Sequence, residues 1–480
     1  MQMTDFSFLL YFLPAMLLGY FILSFSRKAQ NLWLVFCSFL FYSFGNYIYL
    51  IFMLAIIILN YSLGYAMHKR DEQHGKAKSF LVLTCAVNLL PLFFFKYLYN
   101  ILDSVSGLLN LQVAPFPIAP LGISFLALNG ISYVLDIYRH KVQWNPNITD
   151  TALYFAFFPP LQAGPIIRYH DVAEQIKNRE VNFDKIVVGI RRFVVGLAKI
   201  VILAQPLSVV ANIAFEQSNL SGIYTTVPVS LAILGLIAYA LSLYHYLSGF
   251  SDLVIGLGRI LGFTYQENFN YPIVSSSVSE FWKRCYSSLN AWFDEYIYQS
   301  LSKKRTNNDQ MVIHLLLMWL CIGFWLGAGL TKIIFALWFF FFILLERVIE
   351  FESYKKRGLL SHLYVILVVL LSLIALKADN IYQFTLYISN LFAMRNNGFH
   401  SELAMLLLRE NLLPFVVGFI CSFPFAARLR VYAEEKGGIL MNSLYVFYPI
   451  VMLVLVALLM IYISGNSYNT YQLTNSRLWS

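Results

Sequence analysis

Long apolar runs closed by short polar or basic segments recur along the whole chain. They lie near residues 6–25, 31–46, 48–67, 79–102, 117–135, 151–166, 186–214, 226–249, 311–328, 331–350, 361–377, 409–426 and 443–464. A bilayer core of about 30 Å takes about 20 apolar residues per helix. The pattern therefore predicts an all-α, polytopic membrane protein with about 11–13 membrane-embedded helices. Runs that are short or contain Pro read as half-helices or re-entrant segments, which persist where protein or a water-filled cavity surrounds them. Residues 1–465 read as a single transmembrane domain and 466–480 as a polar tail. No repeat of fixed period interrupts this arrangement, and no linker marks a second soluble domain.

Basic residues orient the runs. Arg27 and Lys28 follow the first run, and Lys69, Arg70, Lys76 and Lys78 follow the third. Lys303, Lys304 and Arg305 precede a later hairpin that Lys355, Lys356 and Arg357 follow. Such clusters mark cytoplasmic ends, which puts the N-terminus and the Gly45–Asn46 turn on the other side.

Composition agrees with the pattern. Of 480 residues 59% are hydrophobic and 12% charged, against about 25% charged in soluble domains. Aromatics reach 17%, which suits interfacial belts. The net charge of +9 is accounted for by cytoplasmic anchors. No basic helix or stacking motif points to nucleic acid, so the partner expected is the lipid bilayer. The five Cys residues lack CxxC spacing and read as small buried hydrophobes, so neither disulfide nor metal site is expected. The opening segment has no basic n-region or small-residue cleavage site and reads as a first spanning helix. The NIT sequon at Asn147 matters only in a eukaryotic lumen.

Residues 244–300 break the apolar pattern. His245, Ser248, Ser251, Asp252, Arg259, Glu267, Asn268, Asn270, Glu280, Lys283, Arg284, Asn290, Asp294 and Glu295 crowd this stretch. Ionisable groups are costly in hydrocarbon and face protein, water or the interface. Asp252 and Arg259 fall about two helical turns apart on one face, among small residues that permit close helix contact. Two readings stay open on these residues: an amphipathic helix pair lying on the membrane, or a cavity wall that admits a charged substrate. The GxG of IGLGRI has no strand before it and does not indicate dinucleotide binding.

Several blocks here resemble the membrane-bound O-acyltransferase family, in particular the bacterial branch that contains the alginate O-acetylation membrane protein. They are PLGISFLALNGISYVLDIYR (120–139), FFPPLQAGPIIRYHDV (157–172), GIRRFVVGLAKIVILA (189–204), SGFSDLVIGLGRILGF (248–263), ENFNYPIVSSSVSEFWKR (267–284), SLNAWFDEYIY (288–298) and CIGFWLGAGL (321–330). The resemblance implies a ring of spanning helices around a central tunnel. It further implies acyl transfer from a cytoplasmic donor, acyl-CoA and acetyl-CoA first of all, toward a hydroxyl of an exported polysaccharide. It places the chain in the bacterial inner membrane, beside a secreted or periplasmic acetyltransferase or a polysaccharide-export partner. No bound cofactor is expected.

The family pattern has two tunnel histidines, in an RWH and a WHGA segment. An imidazole with pKa near ~6.5 can take a hydroxyl proton during attack on a thioester. Here FWKRCY puts Cys285 and Tyr286 where the pattern has Trp and His, and CIGFWLGAG puts Leu326 at the second His. Phe339 falls where some relatives carry a further His. A family Asp becomes Tyr246 beside a new His245, and WFRDY becomes WFDEY at Asp294. The substitutes to test are Tyr286 and His245; His170, His314 and a Cys285 thiol acidified by Arg284 are further ones. Tyr244, Ser251, Asp252, Asn268, Trp282, Lys283, Arg284, Asn290 and Trp325 are the candidate substrate or tunnel residues. Three functions follow: a divergent acyltransferase, an inactive relative serving as a membrane scaffold or partner-binding subunit, and a transporter of a small molecule through the same tunnel.

Overall fold

The computed structural model describes residues 1–44, 47–72, 78–98, 102, 119–216, 226–302, 308–327, 329–349 and 358–465. The Gly45–Asn46 turn, Lys76, Lys303–Arg305, Ala328, Lys355–Arg357 and the tail at 466–480 lie outside the described residues. Among the described residues the fold is helical, and the one β contact is an isolated bridge between Phe269 and Cys285. Among the described residues eight stretches are long and apolar enough to cross a membrane: Phe8–Phe25, Tyr47–Lys69, Phe80–Leu98, Phe183–Glu216, Val229–Ile260, Asp309–Leu326, Leu359–Lys377 and Val446–Gly465. A pair of helices bent by 66°, Glu402–Glu410 and Leu412–Cys421, passes the same test only when joined. The chain is a polytopic helical membrane protein. Its apolar exterior is the surface a bilayer covers: Leu453 is 71% exposed on a segment that buries almost nothing.

The helices are numbered in chain order. The first eight are α1 (Leu13–Ile22), α2 (Arg27–Ser43), α3 (Tyr47–Glu72), α4 (Lys78–Phe93), α5 (Ile123–Tyr138), α6 (Ile148–Ala156), α7 (Phe158–Ala163) and α8 (Tyr169–Lys177). Then come α9 (Phe183–Ala198), α10 (Gln205–Glu216), α11 (Val229–Ile260), α12 (Val278–Arg284), α13 (Ser287–Phe293), α14 (Asn308–Leu326) and α15 (Leu330–Val348). The last six are α16 (Leu359–Lys377), α17 (Ile381–Leu391), α18 (Glu402–Glu410), α19 (Leu412–Cys421), α20 (Phe425–Lys436) and α21 (Gly438–Gly465).

Two compact units share α9 and α11 between them. One holds Met1–Ile190 with Val254–Gln266; the other holds Arg191–Leu253 and the described residues from Glu267 onward. In the first unit, buried polar groups satisfy one another. Asn60 and Asn88 exchange side-chain hydrogen bonds of 3.0 and 2.9 Å between α3 and α4, and the Asp150 carboxylate accepts from Asn31 and Asn145. The apolar run at 151–166 is not one span. Phe157 breaks it into α6 and α7, with Pro159 and Pro160 in the first turn of α7, where a missing N–H costs nothing.

Helix α11 resolves half of the polar stretch. Residues up to Ile260 continue the spanning helix α11. They do not form an amphipathic pair on the membrane surface. Its polar residues are tolerated because α9 packs close beside it. A Cβ on Gly196 would come within 2.6 Å of the Gly249 carbonyl oxygen, and one on Gly249 within 2.8 Å of the Gly196 oxygen. This is the close approach that small residues give membrane helices.

Gly249→Leu should therefore force α9 and α11 apart and cost about 1–3 kcal/mol, the usual penalty of overpacking. Thermal unfolding of the detergent-solubilised protein should show a lowered midpoint. Gly465→Leu, where the added side chain meets open space, should leave it unchanged.

Candidate functional site

The site region is a loop and two short helices of the second unit. Ser277 caps α12 by accepting from the Glu280 N–H at 3.0 Å. The Glu346 carboxylate, from the far end of α15, accepts from the Val278 N–H, and from the Ser279 N–H and hydroxyl at 3.0 and 2.7 Å. A negative charge at this helix start meets the positive end of the peptide dipoles. Glu280 lies in the same turn and accepts from the Ser276 N–H, the Ser276 hydroxyl and Arg284 Nε. Burial alone would push the Glu280 carboxyl up, but the Ser276 and Arg284 contacts outweigh it and hold the group down at about 2.

Between α12 and α13 the chain turns through Tyr286, whose φ of 50° lies in the left-handed region. Asn268 fixes this turn from the preceding loop. Its Oδ1 accepts from the Ser288 N–H and hydroxyl, and its Nδ2 donates to Ser251 Oγ on α11 at 2.9 Å. Both expected tunnel residues, Asn268 and Ser251, are thus buried and spent on positioning α13. Tyr286 is 3% exposed and stacks on Phe269 at 5.9 Å; Tyr244 meets the other side of Phe269, edge-on, at 6.0 Å.

Leu326 is 5% exposed at the end of α14. Trp325 beside it packs edge-on against Phe293. Phe339 is 1% exposed inside an aromatic cluster. Its ring centroid is 4.9 Å from Trp282, 5.6 Å from Trp319 and 5.0 Å from Phe335. α12 is thereby clamped onto the hairpin of α14 and α15, and Gly323 lets those two helices touch at Ala336.

A cavity of about 560 Å³ opens on the charged side of this clamp. Trp282, Lys283, Asn290 and Asp294 line it, as do Trp319 and Arg347. Three expected tunnel residues, Trp282, Lys283 and Asn290, are therefore brought together. Tyr286, Leu326, Tyr244, Ser251, Asp252, Asn268, Arg284 and Trp325 do not contribute to its lining.

The expected substitute bases fare unevenly. Burial pushes the Tyr286 phenol above its usual range, away from a proton acceptor. Desolvation likewise pushes the Cys285 thiol up to about 12, which corrects the expectation of an acidified nucleophile: Arg284 is committed to Glu280, with an Nε–Oε1 distance of 3.0 Å. His170 faces Asp136 at 3.0 Å, and His314 faces Ser302 at 2.9 Å. His245 is fully buried on α11 with Nε2 2.8 Å from the Gly418 carbonyl oxygen. A carbonyl only accepts, so Nε2 carries the proton and Nδ1 keeps a lone pair, which has no partner among the described residues.

Asp252 is not paired along its own helix. Its carboxylate takes Arg192 Nε at 2.9 Å and Lys199 Nζ at 2.6 Å, both from the helix that α9 begins, and Arg192 also grips Glu267. Sequence reasoning missed these partners, and it missed Glu346 and Arg347. The signal was present: charged residues inside apolar runs at 186–214 and 331–350 require partners.

The sequence model of the MBOAT, membrane-bound O-acyltransferase family matches residues 37–366. The chain is 34% identical over 380 residues to the probable alginate O-acetylase AlgI of Azotobacter vinelandii, covering 78% of this chain and 74% of that protein. It is 31% identical over 361 residues to a peptidoglycan O-acetyltransferase of Helicobacter pylori, covering 69% and 67%. A teichoic acid D-alanyltransferase of Bacillus subtilis is 23% identical over 250 residues, covering 49% and 60%.

Two outcomes follow from the geometry. Asp252→Asn leaves Lys199 without its carboxylate and Arg192 with Glu267 alone, and should cost up to about 3–5 kcal/mol, read as a fall in the unfolding midpoint. Glu280 has a folded pKa depressed from 4.5 to about 2, so its contribution is present above 4.5 and is lost as pH falls toward 2. Peptic cleavage at 276–285 should rise across that window in the wild type, and Glu280→Gln should remove the Glu280-dependent step.

Proposed function

Because the chain belongs to the membrane-bound O-acyltransferase family, we propose that it serves transfer of an acyl group, acetyl first of all, toward a hydroxyl of an exported polysaccharide. In this reading it is a binding subunit of the bacterial cytoplasmic membrane and supplies no base of its own. Acetyl-CoA is the donor of the system, and a secreted or periplasmic acetyltransferase or an export component is the partner. The names of the alginate and peptidoglycan relatives support the substrate class.

One observation carries the non-catalytic role. Tyr286 and Leu326 stand where the family pattern has imidazoles, Phe339 where some relatives carry a further one, and all three are buried in apolar or aromatic packing. A hydrocarbon cannot accept a proton, and a desolvated phenol does so poorly. Loss of a general base costs about 10²–10⁴-fold in rate. A second reading, a divergent acyltransferase, is favoured by one feature alone: the bare Nδ1 of His245.

Purified protein in proteoliposomes, given acetyl-CoA labelled in the acetyl group, decides between the two. The expected result is no self-labelling, acceptor transfer or thioester hydrolysis above background, together with co-purification of an envelope acetyltransferase or export component. Turnover abolished by His245→Ala or Tyr286→Phe would establish the divergent enzyme instead.

A further inference from the structure

The cavity beside α12 sets two cations against an aromatic and aliphatic face. Lys283 on α12 and Arg347 in the last turn of α15 line it, and neither has an ion-pair or hydrogen-bond partner among the described residues. The two carboxylates in the wall are engaged. Glu346 holds the start of α12 through three donors, and Asp294 accepts from Gln299 Nε2 at 2.6 Å. The rest of the wall is mixed: Trp282, Trp319, Leu315 and Met318, all under 9% exposed, form its apolar part, and Asn290 and Ser279 are among its neutral polar groups. The Trp282 and Trp319 indole N–H groups have no acceptor among the described residues. Exposed cations over an aromatic and aliphatic wall suit a molecule with an anionic head, ester carbonyls and an apolar chain. Small-molecule sites of this kind span about 300–1,000 Å³, and this one measures about 560 Å³.

The charge balance separates two such molecules. Coenzyme A carries several phosphate groups, and beside Asp294 and Glu346 most of that charge would lack a counterion. One phosphodiester, with a single negative charge, can be shared by the two cations that lack a partner among the described residues. Location points the same way. The cavity lies toward the start of α14 and the end of α15, and the sequence flanking that hairpin carries Lys303, Lys304, Arg305, Lys355, Lys356 and Arg357. This is the end the positive-inside rule gives to the cytoplasmic leaflet, whose anionic lipids attract basic segments.

We propose that this cavity is a binding site for an anionic phospholipid, with the phosphate held by Lys283 and Arg347 and the upper acyl chain lying against Trp282, Trp319, Leu315 and Met318. The inference rests on the reading of the region as a binding site and names its occupant. The lipid fills the space beside the aromatic clamp and gives the two cations one shared anionic partner, so α12 keeps its seat on the hairpin.

Native mass spectrometry of the full chain in detergent tests this with three probes: dioctanoyl phosphatidylglycerol, dioctanoyl phosphatidylcholine and acetyl-CoA. One phosphatidylglycerol should bind per chain, with phosphatidylcholine at least several-fold weaker. The Lys283→Ala/Arg347→Ala variant should lose at least tenfold in phosphatidylglycerol affinity, and Lys283→Arg/Arg347→Lys should retain it, which separates lost charge from lost fold. Equal binding by the alanine variant, or equal binding of phosphatidylcholine, would overturn the proposal. So would displacement of the lipid by acetyl-CoA, which would make this a donor site. Thioester turnover measured on the same samples bears on the proposed function alone and leaves the lipid result standing.

Discussion

The clamp of Trp282 between Trp319 and Phe339 is the contact on which this region depends. α12 has only seven residues, too few to hold a helix on propensity alone. It is held from two directions, by aromatic packing on one side and by the Glu346 carboxylate on its first turn. Buried aromatic pairs add about 0.5–1.5 kcal/mol each beyond area burial, and these contacts add to the apolar burial that holds the short helix in place. An imidazole at position 339 would bring two ring nitrogens into a pocket made of rings. Hydrocarbon at this position and an imidazole-based site are therefore competing uses of one volume, and this chain has the first.

The second constraint is the bilayer, which forbids unpaired charge. Asp252 binds two cations from the neighbouring helix, Asn268 spends both ends of its amide, and Asn60 and Asn88 close on one another. These residues look like chemistry in a linear reading because they are polar in an apolar chain. In three dimensions they are fasteners. Among the described residues, the uncommitted polar groups nearest the sites discussed are Lys283, Arg347 and the Trp282 and Trp319 indole N–H groups at the cavity, and Nδ1 of His245.

The spans were legible because apolar runs of bilayer length have few other meanings, and α11 and α16 fall where the runs do. Boundaries were less so. The break at Phe157 depends on two consecutive prolines entering a new helix, and the bend between α18 and α19 depends on Asn411, whose side chain turns back to the Leu407 carbonyl. The site was half legible. Local order put Trp282, Lys283 and Asn290 on two adjacent short helices, and the cavity joins them. Glu346 and Arg347 come from a helix more than fifty residues later, and no local spacing relates them to Lys283. Tyr286 could be placed in sequence but not in depth, since its burial depends on Phe269 across an isolated bridge.

The central claim is that the region binds without catalysing because no imidazole stands at 286 or 326. It is tested most directly by hydrolysis of the acetyl-CoA thioester, compared between wild type and the Tyr286→His/Leu326→His variant in matched proteoliposomes. The account predicts background rates for wild type and a gain of about 10²-fold or more in the double variant. Wild-type hydrolysis as fast as that of the double variant would contradict it.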